Sequence, residues 1–146
     1  MCLRFGEFMN PIEESFVTNF VQKARRERAC FELGSESRRG RFLNRLCHDF
    51  GGVFDARYLR PLVEPEDSVS LQKHLRNLGA KKTCHVISSN EAVDGKEILL
   101  GEAIQAVMGY GLPSILICAP DSLSYFEAEQ VQGPPPRFLL VKHGGT

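Results

Sequence analysis

Near residue 80 the apolar residues of this chain stop recurring every three or four positions and gather into short runs. Before that point Ile12, Phe16, Phe20 and Ala24 stand four apart, with Val17 and Val21 beside them. A helix returns such positions to one face, so they form a single apolar stripe. After it, Val86 and Ile87 centre the run Thr83–Ser88, and Ser114–Ala119 reads Ser-Ile-Leu-Ile-Cys-Ala, apolar on both faces as in a strand covered on both sides. Helices first and a sheet second restrict the chain to an α/β architecture, or to α+β if the two layers segregate.

Local signals place the helices. Asn10 can cap free amides and Pro11 suits a first helical position, so a helix is expected from residue 10 to about 33, stopped by Gly34 in a left-handed conformation. A second helix carries Phe42, Leu43, Leu46, Cys47 and Phe50 and ends at Gly51-Gly52. Residues 54–63 read as irregular because of Pro61. A third helix starts at Asp67 or Ser68, has Val69, Leu71, Leu75 and Leu78 as its apolar positions, and stops at Gly79.

In the second half, Asp94-Gly95-Lys96-Glu97 has the spacing of a capping box opening a helix through Ile98, Leu99, Ala103, Ile104, Val107 and Met108. Strand, helix and strand over residues 83–119 then form a right-handed βαβ unit. Pro120-Asp121-Ser122 makes a turn, and residues 123–128 and 138–142 add two antiparallel strands. The expectation is one domain over residues 1–146. A helical region (about 10–79) packs on a small mixed sheet of about four strands (80–142), and residues 143–146 form a tail.

Composition limits function more by exclusion. With 146 residues, 42% hydrophobic and 25% charged, the chain can bury a core without metal or disulfides. Five cysteines, an odd number without C-x-x-C spacing, predict reduced thiols and a cytoplasmic location. The first eight residues lack the apolar core of a signal peptide, and no run reaches the ~18–20 apolar residues of a membrane span. No cofactor or phosphate-loop motif occurs. His48, His74, His85 and His143 lie in separate segments, and no metal site is expected from them. Cys118, inside an apolar strand, reads as a small buried hydrophobe, and neither it nor Cys84 paired with His48 is expected to act as a nucleophile. Tyr58 beside Arg57 and Arg60 reads as packing at an edge of the domain.

Net charge is zero, but residues 20–60 hold 10 basic and 5 acidic side chains. Arg26, Arg38, Arg39, Arg41 and Arg45 are therefore the expected anchors for an anionic macromolecule, RNA or an acidic protein, since a guanidinium fork matches phosphate. Reversing Arg39 and Arg41 should abolish binding and leave the fold intact. A second candidate is a polar pocket at the carboxyl ends of the two parallel strands, lined by Ser88, Asn90, Asp94, Asp121 and Ser122. Three functions follow: a non-catalytic binding or regulatory protein, an immunity- or adaptor-type protein that blocks one partner, and a small enzyme at the strand ends. Binding ranks first because no nucleophile, base and orienting group are linked by a motif. The apolar run 138–141 could also pair edge to edge with a second copy as a homodimer.

Overall fold

The computed structural model describes residues 9–63 and 67–142. The readings of the first eight residues, of His143 and of the tail 143–146 lie outside these. Asn10 caps α1 (Pro11–Phe20) as expected: its Oδ1 accepts from the amides of Ile12 at 2.8 Å and Glu13 at 3.2 Å. The helix then stops thirteen residues short of the expected end. Val21 turns extended and bridges Phe54, and the Gln22 amide donates to the Val53 carbonyl. Neither glycine nor proline marks the break; the pull comes from burying Val21 and Phe54, both fully inaccessible. A 3-10 turn (Lys23–Arg25) leads into α2 (Arg26–Leu33). Gly34 ends α2 with φ −76°, so the stop is right but the left-handed conformation is not.

The second helix, α3 (Arg39–Val53), runs past Gly51-Gly52 across a kink at Asp49, whose carboxylate caps the Gly52 amide at 3.1 Å. The stretch read as irregular contains a short strand, β1 (Leu59–Pro61), at the sheet edge where proline's missing donor is tolerated. Asp67 caps α4 (Ser68–Asn77), and Gly79 follows it with φ +110°. The strands β2 (Thr83–Ser88) and β4 (Ser114–Ala119) match their expected limits; β5 (Leu123–Glu127) and β6 (Arg137–Val141) lie within one residue of theirs.

The sheet itself departs from expectation. It has six strands in the order β1-β6-β5-β4-β2-β3, and every pairing is antiparallel. The strands at 83–88 and 114–119 are therefore not the parallel pair of the expected βαβ unit. The capping-box residue Glu97 opens a strand, β3 (Glu97–Leu99), that folds back on β2, and α5 (Leu100–Val107) begins only after it. The hairpin reverses the chain once, and α5 then carries it from β3 to β4, which runs in the same direction as β3 and antiparallel to β2, the strand between them. Strand β6 is interior, between β1 and β5, so the run 138–141 offers no edge to a second copy.

Both sheet faces are nevertheless covered. Ile87, Ile115, Phe126 and Phe138 form one cross-strand row and pack with α1–α3 around Phe16, Phe20, Phe42 and Phe54. Val86, Leu116, Tyr125 and Leu139 form the alternate row and pack with Leu71 and Leu75 of α4 and Leu100 and Ile104 of α5. The result is an α/β sandwich with the sheet between two helical layers. No helix among the described residues is long and apolar enough to cross a membrane.

Candidate anion-binding site

Antiparallel pairing dismantles the expected strand-end pocket. Ser88 at the end of β2 faces Ser114 at the start of β4, so Asp121 and Ser122 lie beyond the other end of β4, roughly 16 Å away at ~3.3 Å per residue. The remaining pocket residues serve the local chain. Ser88 Oγ lies 2.7 Å from Ser114 Oγ, and Asn90 donates to the Ala106 carbonyl while its Oδ1 accepts from the Ala92 amide. Asp94 Oδ1 accepts from the Ser88 amide at 2.9 Å. Asp121 and Ser122 form the β4–β5 turn, with the Ser122 amide donating to Ala119.

Asp94 belongs instead with one of the arginines. Arg39, at the start of α3, donates Nε and Nη2 to Asp94 at 2.8 and 2.9 Å, and Nη1 and Nη2 to Glu13 at 2.7 and 2.9 Å. A further Nη1 bond reaches the Leu33 carbonyl at 3.2 Å. A guanidinium has five N–H groups, and all five are engaged. Glu13 is 1% exposed and also accepts from His85 Nε2 at 2.6 Å. Burial pushes the Glu13 carboxyl up, but the bonds from His85 and Arg39 and their charges outweigh it and hold the group below its ordinary value. Burial likewise disfavours the Arg39 cation, yet Asp94 and Glu13 raise its pKa above normal. The cluster ties α1, α3, β2 and the β2–β3 turn together. An adjoining cleft of about 500 Å³ is lined by Glu36, Arg39, Gly40, Glu91 and Asp94, and its three carboxylates repel anions.

Two other expected anchors are partly engaged. Arg38 stacks on the Phe31 ring at 3.9 Å and donates to the Phe31 carbonyl at 3.0 Å. Arg26 Nε donates to the Val21 carbonyl at 2.9 Å, closing the free end of α1.

The last two anchors point elsewhere. Arg45 lines a pocket of about 300 Å³ between α2 and α3 together with Arg25 and Arg28, over Ala24, Ala29, Phe42 and Val53. Arg41 is exposed one helical turn before Arg45, on the same face of α3. Arg25 and Arg28 are exposed. Arg45 Nη2 bonds Glu32 Oε2, and Arg28 lies 3.9 Å from the same oxygen. Glu32 is 2% exposed and its Oε1 has no hydrogen-bond partner. One buried carboxylate therefore faces two guanidinium groups, and the pocket they line with Arg25 holds a third. Arg25 and Arg28 were legible in the sequence as positive charges near a helix end, but nothing there marked them as pocket residues. Glu13, Glu32 and His85 carried no signal, because their partners are distant in sequence.

The thiols offer no ready nucleophile. Burial pushes Cys84 up to about 12, and raises Cys118 and, aided by Glu129, Cys47. Cys47, Cys84 and Cys118 are free, as expected, but Cys30 is disulfide-bonded, which corrects the expectation of uniformly reduced thiols. No three His, Cys, Asp or Glu side chains are grouped as metal ligands among the described residues. The chain matches no family model, and neither a curated protein nor a solved structure shows significant similarity to it.

Proposed function

We propose that the protein is a non-catalytic binding or regulatory domain that takes an anionic macromolecule, RNA in the first instance, on the arginine-bearing surface of α2 and α3. The observation that carries this reading is the pocket lined by Arg25, Arg28 and Arg45, two of which share the single buried carboxylate of Glu32. The planar guanidinium fork suits phosphate and carboxylate oxygens alike, so an acidic protein is the alternative partner that the test below separates from RNA. Arg41 extends the surface; Arg39 does not belong to it.

The test is fluorescence anisotropy with single-stranded RNA across a salt series. Binding is expected to weaken steeply with salt. The Arg25→Gln, Arg28→Gln double variant should lower the slope of log K against log salt by about 1.4, at ~0.7 per phosphate contact on a single strand. An unchanged slope, or binding only to poly-glutamate, would remove the RNA reading.

A further inference from the structure

The pocket between α2 and α3 differs from a groove that tracks a polymer backbone. It is a recess of about 300 Å³, partly open to solvent and at the small end of ligand pockets, with apolar walls from Ala29, Phe42 and Val53. Phe42 and Val53 are each 1% exposed, so the walls are rigid core side chains rather than surface residues. Arg45 is held at the pocket by its bond to buried Glu32, the only side-chain bond its guanidinium makes among the described residues. Most of its N–H groups therefore remain available, in contrast to Arg39. Arg25 and Arg28 stand at the rim. Three guanidinium charges against one carboxylate leave a surplus of two.

Resting on the anion-binding reading above, we propose that this pocket receives a phosphate monoester, its phosphate held by Arg25, Arg28 and Arg45 and its organic body lying on Ala29, Phe42 and Val53. Charge selects the monoester. Near neutral pH it carries about −1.5 to −2, which matches the surplus, whereas an internal phosphodiester or a carboxylate carries only one negative charge. Three terminal oxygens also offer each arginine an acceptor, where a diester leaves two. The phosphate can come from a free organophosphate or from the 5′ end of an RNA chain, and the chemistry at the pocket is the same.

Titration calorimetry with phenyl phosphate and methyl phenyl phosphate, combined with amide chemical shifts, tests this. Phenyl phosphate is expected to bind at least about tenfold more tightly than the diester, because one charge and one charged hydrogen bond are added. It should shift the amides of Ala29, Phe42 and Val53, and Arg25→Gln, Arg28→Gln should remove the preference. Equal binding of the two probes, or shifts elsewhere with those amides unmoved, would overturn the proposal. A parallel comparison of 5′-phosphorylated with 5′-hydroxyl RNA identifies the source. Tighter binding of the phosphorylated chain assigns the pocket to an RNA end, and monoester selectivity without it assigns the pocket to a free organophosphate. If 5′-hydroxyl RNA binds through the same arginines with no monoester preference, the monoester proposal fails while the RNA-binding surface survives.

Discussion

Two arginine clusters lie within one helix of each other and do opposite things. At the start of α3, Arg39 sits between Glu13 and Asp94 with every N–H donated. Two turns later Arg45 shares a single buried carboxylate with Arg28, and a pocket opens beside it. Residue type is the same in both. The difference is the ratio of guanidinium groups to buried acceptors. Where acceptors saturate the donors, arginine holds helices to the sheet; where they do not, it is left to recognise something else.

Stability measurements should separate the two clusters, with the largest effect at Arg39. Arg39→Met leaves Glu13 and Asp94 without their cation and should cost about 3–5 kcal/mol in urea unfolding. A cost below 1 kcal/mol would show that the cluster is not the clamp described. This also reverses the expectation that Arg39 can be altered with the fold intact.

Acid should act on the same cluster. Glu13 has a folded pKa depressed below its ordinary 4.5, so the unfolded chain binds its proton first as pH falls. The stabilisation is complete above about pH 4.5 and drains as pH falls through the lower native value. Glu13→Gln should therefore be less stable at neutral pH but show a shallower loss of stability between pH 5 and the acid range, measured by urea unfolding at each pH.

Arg45→Met should be milder, about 1–3 kcal/mol, because one carboxylate rather than two loses its partner. The Arg25→Gln, Arg28→Gln double variant should change stability by less than about 0.5 kcal/mol, since both side chains are exposed, and show its effect in binding alone. If the double variant proved as destabilising as Arg45→Met, the pocket arginines would belong with Arg39 as structural groups.

Much of the chain's local structure was legible. Asn10-Pro11 and Asp67 mark helix starts whose capping bonds are present, and Thr83–Ser88 and Ser114–Ala119 are strands at their expected limits. The misreadings share a cause. Two-sided burial of β4 suggested a parallel strand, but helices cover both faces of an antiparallel sheet here, and burial alone carries no information on direction. The spacing of Asp94 and Glu97 suits a capping box, yet Asp94 accepts from Arg39 and the Ser88 amide, and Glu97 accepts from Thr83 Oγ1 at 2.7 Å across the β2–β3 hairpin.

The sequence by itself determined where helices give way to strands, most of the side chains that are buried in them, and that positive charge concentrates between residues 20 and 60. Those properties depend on neighbours a few positions away, through helical and strand periodicity and through caps. Tertiary structure alone decided strand direction, the break of the first helix at Val21, and which arginines are engaged. Each of these depends on a partner far along the chain: Val21 on Phe54, Arg39 on Glu13 and Asp94, and β4 on its pairing with β2 across the inserted β3 hairpin and α5. A donor's partner is set by where the folded chain brings an acceptor, and no pattern along the sequence records that distance.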